Sequence, residues 1–178
     1  MMIKRLLKLL AGGVALLLAT LVIGGWLLNP VFRVERSLLI QAPAERIYAH
    51  LDSSDGWQRW GAWYRRDPQM QLLADARTEG TGAAWSWRSE SQGNGRLELT
   101  EVEVDRRVAY VLQIEDFTPS SGELRLEPEG QGTRVIWLMQ GDVGANPLKR
   151  WMALLMDSLV GPDFDAGLAN LKTLAEQD

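Results

Sequence analysis

Cysteine is absent from the 178 residues, and histidine occurs once, at position 50. Without cysteine the chain has no disulfide scaffold, no thiol nucleophile and no thiolate-bound zinc, and a single histidine disfavours the other common zinc sites. Motifs for serine hydrolases, P-loop nucleotides, dinucleotides and EF-hand calcium are also missing. The sequence therefore predicts a protein without a metal or a cofactor.

Acidic residues are missing from the first 33 positions, which carry four basic ones. Residues 34–178 carry 15 basic and 23 acidic side chains, a net charge of −8. Binding to nucleic acid depends largely on neutralising phosphates with lysine and arginine, so this balance predicts no nucleic-acid partner.

A run of 24 uncharged residues separates Lys8 from Arg33. About 20 helical residues cross the hydrocarbon core of a bilayer, so residues 1–33 are predicted to be a single-pass membrane anchor and 34–178 a separate domain. The basic residues before the run place the N-terminus in the cytoplasm and the domain outside it, in the periplasm. A cleaved signal peptide is the alternative, but the run exceeds the 7–15 residues typical of one and lacks a clear cleavage site.

Beyond the anchor, most of the chain alternates apolar and polar residues with a period of two, which is typical of strands. Turn signals rich in glycine divide these stretches at hairpin-sized intervals, so the strands are expected to form an antiparallel meander. The apolar phase slips between Leu99 and Val102, which predicts a β-bulge near Thr100. The seven predicted strands cover residues 34–41, 69–77, 83–90, 95–104, 107–116, 121–128 and 132–142.

Helical patterns occur in two places. A short helix is predicted after Pro43, followed by a turn that carries Trp57, Trp60 and Trp63. After Pro147 an apolar stripe of Trp151, Leu154, Leu155 and Leu159 begins a long C-terminal helix, in which Gly161-Pro162 is expected to cause a bend.

The order of these elements resembles the helix-grip superfamily, also called START-like or SRPBCC, and more narrowly its polyketide cyclase/dehydrase-like branch in a membrane-anchored bacterial form. The resemblance implies an α+β fold in which a seven-stranded antiparallel sheet wraps round a long C-terminal helix and leaves a hydrophobic pocket between them. It spans about residues 34–176. It is carried by VERSLLIQAPAERIYAHL (34–51), the three tryptophans at 57–63 with YRRDP (64–68), GTRVIW (132–137) and GPDFDAGLANLK (161–172).

Large apolar side chains are the candidates for the pocket wall. Trp85 and Trp87 are two residues apart on a strand and share a face, and Trp137 and Met139 form a similar pair near the end of the sheet. Aromatic side chains and adaptable methionines are common in apolar ligand sites, although they also fill ordinary cores. The predicted ligand-binding residues are Trp85, Trp87, Leu112, Trp137, Met139, Met152 and Met156.

Three functions remain open from the sequence. The favoured one is membrane-tethered binding of a hydrophobic small molecule or lipid. A cyclase or dehydrase would need a titratable group inside the pocket, such as His50, so catalysis is not the expectation. A non-catalytic interaction module for an envelope protein would have a filled core and an exposed apolar patch, on the loop at 57–63 or on the helix at 147–160.

Overall fold

The protein is described here by a computed structural model of residues 2–115 and 117–177. Within these residues, five helices and seven strands follow one another. They are α1 (Met2–Leu27), β1 (Val31–Ile40), α2 (Ala44–Tyr48), α3 (Ser54–Trp60), α4 (Ala62–Arg66), β2 (Gln71–Ala74), β3 (Ala84–Arg88), β4 (Gly95–Glu103), β5 (Arg107–Ile114), β6 (Ser120–Glu129), β7 (Gly132–Asp142) and α5 (Pro147–Gln177).

The seven strands form one antiparallel sheet in the order β1-β7-β6-β5-β4-β3-β2. Strands β2 to β7 are a meander, and β1 joins its far edge by pairing with β7 from Val31 to Ile40. The pairing of β4 with β5 shifts register between Leu99 and Glu101, so the predicted bulge is confirmed. The predicted antiparallel architecture is therefore confirmed as well.

Some element boundaries differ from the prediction. β1 begins at Val31, three residues earlier than predicted, because its pairing with β7 extends to Asp142. β2 covers only residues 71–74 of the predicted 69–77, which is common for an edge strand with a neighbour on one side. β5 ends at Ile114, and Asp116, the predicted end of that strand, lies outside the described residues, as do Met1 and Asp178 at the ends of the predicted segments.

Helix α5 lies across one face of the sheet and continues as one helix through Pro162. Its second half is bound to the sheet by an apolar core in which Trp137 of β7 stacks on Phe164 of α5. Gly167 of α5 leaves room for this packing, since a Cβ there would lie 2.9 Å from the Trp137 ring. The helix is thus held closely against the sheet on its C-terminal side.

The first half of α5 contacts α1 instead. The Trp151 indole N–H donates to the main-chain oxygen of Leu21 at 2.9 Å. Gly25 faces the start of α5 so closely that a Cβ would lie 2.2 Å from the Pro147 oxygen. Gly24 also faces α5, since a Cβ there would lie 2.9 Å from the Trp151 ring.

Candidate ligand-binding cavity

A cavity of about 340 Å³ lies between the concave face of the sheet and the first half of α5. This volume is near the lower end of the roughly 300–1,000 Å³ found for small-molecule sites. Its wall is mainly apolar and aromatic. The sheet and its loops contribute Phe32, Trp87, Leu97, Tyr110, Leu112, Ile114, Phe117, Thr118, Ser120, Trp137, Met139 and Val143, and α5 contributes Lys149, Met152, Met156, Leu159, Val160, Asp163 and Phe164.

Six of the seven predicted ligand-binding residues line this cavity: Trp87, Leu112, Trp137, Met139, Met152 and Met156. The seventh, Trp85, does not line it. Its ring packs beside Trp57, with centroids 5.9 Å apart, and its indole N–H donates to the Tyr64 hydroxyl at 2.7 Å. Trp85 therefore supports the wall from behind, because this end of β3 is covered by α3 and α4.

The tryptophans of α3 and α4 form part of the core beside the cavity. Trp57 and Trp60 are fully buried, and each indole N–H donates to a main-chain oxygen, of Leu51 and His50 respectively. Trp57 and Trp63 line the cavity, whereas Trp60 does not. A tryptophan-rich segment close to a membrane anchor could insert among lipid headgroups. Trp57 and Trp60 cannot do so, because both are buried.

Two glycines let aromatic rings lie flat against the sheet. Gly122 of β6 pairs with Tyr110 of β5, and a Cβ on Gly122 would lie 2.2 Å from that ring. Gly95 of β4 pairs with Trp87 of β3 in the same way, again with a Cβ distance of 2.2 Å. A glycine commonly marks a strand position that another group approaches closely. Because both rings lie over glycines, the space above them remains open.

Tyr110 brings a polar group to this apolar wall. Its hydroxyl accepts the Trp137 indole N–H at 2.8 Å, and burial raises the pKa of Tyr110 above its ordinary value. The phenol is therefore neutral at physiological pH and is not a base. A hydroxyl can accept and donate together, so Tyr110 can also donate one hydrogen bond to a ligand.

His50, the candidate for proton transfer, and the exposed carboxylates of the sheet lie away from the cavity. His50 is buried but does not line it, and Glu101, Glu103 and Asp142 are exposed on the sheet. Besides Tyr110, the titratable side chains among the described lining residues are Lys149 and Asp163. Asp163 forms an ion pair with Arg66 of α4. No cluster of potential metal ligands occurs in the part of the chain that the structure describes.

Arg36 of β1 connects the sheet edge to α5 on both sides of Gly161. Its guanidinium donates to Asp157 at 2.8 and 3.1 Å and to Asp165 at 3.3 Å. A Cβ on Gly161 would lie 2.0 Å from the Arg36 Nη2 atom, so a larger residue there would force the guanidinium to shift. Two aspartates eight residues apart thus bind one arginine across the position of Pro162, which favours a fixed helix geometry over a hinge.

A sheet that wraps a long C-terminal helix, with an apolar cavity between the two, defines a ligand-binding domain of the helix-grip class. The chain belongs to the family described as polyketide cyclase/dehydrase and lipid transport, whose sequence profile matches residues 31–176. A comparison with curated protein sequences gives no significant match.

Solved structures share the fold at low sequence identity. A protein from Chromobacterium violaceum is 17% identical with a TM-score of 0.60, and the match covers 83% of this chain and 99% of the other. A protein of unknown function from Staphylococcus aureus is 13% identical with a TM-score of 0.64, covering 84% and 96%. The di-domain ARO/CYC StfQ from the steffimycin biosynthetic pathway is 14% identical with a TM-score of 0.64, covering 83% of this chain and 51% of StfQ. These similarities establish the helix-grip fold.

Proposed function

We propose that this protein is a membrane-tethered carrier or receptor that binds one hydrophobic small molecule, or one acyl chain of a lipid, in the cavity between the sheet and α5. The observation that carries the proposal is the cavity itself, about 340 Å³ in volume with a mainly apolar wall. Burial of apolar ligand surface contributes about 25 cal/mol per Å² before the costs of ordering the ligand are subtracted. Tyr110 supplies a hydrogen-bonding group for a ligand that carries a polar end.

The predicted ligand-binding residues divide into two groups under this proposal. Trp87, Leu112, Trp137 and Met139 contact the ligand from the sheet, and Met152 and Met156 contact it from α5. Methionine side chains adapt to irregular apolar shapes, so the helical side accommodates ligands of different outline. Trp85 has no direct ligand contact here and supports the aromatic wall.

Binding accounts for the site better than catalysis does. A general acid or base must come within hydrogen-bond reach of the substrate. His50 is outside the cavity lining, Tyr110 is held neutral, and Asp163 is paired with Arg66. We therefore propose no enzymatic reaction. The filled core that a pure interaction module requires is also absent, because the cavity occupies the space between the sheet and α5.

Tethering is the second part of the proposal. Within the described residues, one helix is long and apolar enough to cross a membrane, Lys4–Leu27. Such a segment can be a signal sequence, but here the contacts of Leu21 with Trp151 and of Gly25 with Pro147 make α1 part of the packed structure. We propose that α1 is retained as an anchor and that the domain lies outside the cytoplasm. A C-terminal reporter enzyme that is active only in the periplasm should be active, and an inactive reporter at normal expression would contradict this orientation.

The binding proposal is tested by comparing two neighbouring positions of β5. Leu112 lines the cavity, whereas Val111 pairs with Glu98 and Ser121 on the other face of the sheet. The full-length protein is purified from membranes, and bound molecules are detected by native mass spectrometry and by solvent extraction. The wild type and Val111→Trp should carry an apolar molecule, and Leu112→Trp should carry much less. Equal amounts in all three proteins, or none in the wild type, would contradict the proposal.

A further inference from the structure

The first half of α5 has an apolar face that neither the sheet nor the cavity covers. Leu148, Trp151, Leu154, Leu155 and Leu159 are all exposed there, with exposed fractions between 37% and 59%. At 3.6 residues per turn, Leu148, Trp151, Leu155 and Leu159 lie along one side of the helix, with Leu154 beside them. We call these five residues the α5 apolar face. Exposed apolar patches of this kind mark an interaction surface.

Ligand binding does not explain this face. Leu148, Trp151, Leu154 and Leu155 do not line the cavity, and only Leu159 belongs to both surfaces. Met152 and Met156 point to the cavity from the adjacent side of the helix. The first half of α5 therefore carries two apolar surfaces, one for the cavity and one for something outside the domain.

Helix α1 fixes the position of the α5 apolar face. The Trp151 N–H donates to the Leu21 oxygen, and Pro147 lies against Gly25, so the start of α5 lies beside the last two turns of α1. Leu21 is six residues before the end of α1 at Leu27, which is about 9 Å along a helix axis. If α1 crosses a bilayer, Trp151 is carried below the outer end of the apolar run, to the depth where acyl chains meet headgroups.

Aromatic and charged groups at the same contact match the chemistry of that depth. Arg150 donates to the main-chain oxygens of Trp26 and Leu28, and its guanidinium lies 5.1 Å from the centre of the Trp26 ring. Tryptophan and arginine are both favoured where the hydrocarbon core meets the headgroups. Between Trp151 and Met156 the sequence has no charged residue.

The cavity mouth lies beside the α5 apolar face. Among its lining residues, Phe117, Thr118, Lys149 and Leu159 are exposed, so they mark where the cavity meets the surface. Leu159 joins the mouth to the α5 apolar face without a polar gap. An apolar ligand leaving the bilayer at this point would reach the cavity without crossing water.

We propose that the first half of α5 lies in the outer interface of the bilayer, with the α5 apolar face among acyl chains, so that the cavity opens to the membrane. The partner is a lipid surface. This inference rests on the proposed function, since it supplies the route by which a ligand reaches the cavity, but membrane immersion is measured without any ligand. Failure of immersion with a ligand bound would overturn this route and leave the binding function in place.

The absence of cysteine makes the test direct, because one introduced cysteine carries one spin label. The full-length protein is reconstituted in phosphatidylcholine vesicles with a nitroxide at Leu155→Cys, at Phe117→Cys or at Thr173→Cys. Thr173 is an exposed position on the same helix, 18 residues beyond Leu155, and is the matched control. Accessibility to oxygen, which concentrates in lipid, is compared with accessibility to a water-soluble nickel complex.

The labels at 155 and 117 should favour oxygen by at least several-fold relative to the label at 173. A label at 155 without a preference for oxygen would overturn the proposal, whether that face is left in water or is covered by a second copy or another protein. Immersion at 155 with an aqueous value at 117 would also overturn it, because the mouth would then face away from the bilayer. The double variant Leu154→Ser with Leu155→Ser should lower the oxygen preference at 117, whereas Glu127→Ser on the distant β6 should not.

Discussion

Trp137 of β7 and Phe164 of α5 stack with ring centroids 3.8 Å apart and planes within 6° of parallel. Both rings line the cavity, and Phe164 is almost fully buried. The stack joins the sheet to α5 between the first half of the helix, which covers the cavity, and the second half, which covers the core. The cavity can remain open without collapse because this contact holds α5 at a fixed distance from β7.

Replacing Phe164 with alanine should therefore destabilise the protein substantially. Loss of a buried phenylalanine costs about 3–5 kcal/mol of unfolding free energy. Phe117→Ala is the matched control, because Phe117 is 46% exposed and should change the free energy by about 0.5 kcal/mol or less. Urea unfolding of the full-length protein in detergent measures both. Similar losses at the two positions would show that the stack is not a main support of α5.

Gly122→Ala should reduce the volume of the cavity. The new Cβ would meet the Tyr110 ring at 2.2 Å, and since the ring cannot move through the sheet it would turn into the cavity. Overpacking of this kind costs about 1–3 kcal/mol, and the amount of bound apolar molecule should fall. Ser121→Ala, at the next position on the opposite face, should change neither unfolding nor ligand content. Unchanged ligand content in Gly122→Ala would mean that Tyr110 does not border the binding space.

Gly25→Ala should separate α1 from the start of α5, because the new Cβ would lie 2.2 Å from the Pro147 main-chain oxygen. Gly13→Ala is the control in the same helix, because a Cβ there would meet no atom within 4 Å apart from the adjacent residues and backbone of α1 itself. The distance between spin labels at Thr20→Cys and Leu154→Cys, measured by pulsed electron resonance, should broaden only in Gly25→Ala. The same distribution in both variants would contradict direct packing of the two helices.

Arg36→Gln should lower the stability of the fold against urea at neutral pH but not in acid. The hydrogen bond from Arg36 holds the pKa of Asp157 below its ordinary value of 3.8. A lowered pKa in the folded state stabilises it above the ordinary pKa, and this contribution is lost as the pH falls through the folded value. The difference in urea midpoint between the wild type and Arg36→Gln should therefore shrink below about pH 4.

Arg33→Gln is the control for that comparison, since Arg33 forms an ion pair with Glu35 of its own strand and not a link to α5 of the kind that Arg36 makes. It should shift the midpoint less at pH 7, because no contact between β1 and α5 is lost. A difference for Arg36→Gln that persists unchanged to pH 2 would show that the arginine acts by packing and not through its charge.

All three tyrosines should ionise at a higher pH in the folded protein than in the unfolded chain. Burial raises the pKa of Tyr64 to about 12 and also raises the pKa of Tyr48 and Tyr110 above the ordinary 10.0. A raised pKa stabilises the folded state below pH 10, and the contribution is lost as the pH rises through the folded value. Absorbance at 295 nm should show little tyrosinate at pH 10.5 in the native protein and most of it in urea. A native midpoint of 10 would contradict the burial of these rings.

Local patterns were enough to predict the sheet. Alternation of apolar residues and glycine-rich turns located all seven strands, and the phase slip near Thr100 located the bulge. These features depend on residues close together in the chain. The ends of β1 and β2 were less predictable, because they depend on which strand lies alongside.

Contacts between distant residues explain what the sequence alone could not predict. Trp85 and Trp87 are both tryptophans on the same face of β3. Trp85 lies behind the cavity wall only because of the positions of α3 and α4, which the local sequence does not reveal. Arg36 and Asp157 are 121 residues apart, and nothing in either local sequence indicates that they meet. The stripe at 151–159 is visible in the sequence, but its exposure depends on the way in which α5 lies on the sheet and on α1.

The most direct test of ligand binding is a photoreactive residue placed inside the cavity of the full-length protein in whole cells. Benzoylphenylalanine is introduced at Leu112 or, as the control, at Val111, and intact masses are measured after irradiation of whole cells. We predict a covalent adduct with a small apolar molecule at 112 and none at 111. Absence of any adduct at 112, or the same adduct at both positions, would contradict the binding of a hydrophobic ligand between the sheet and α5.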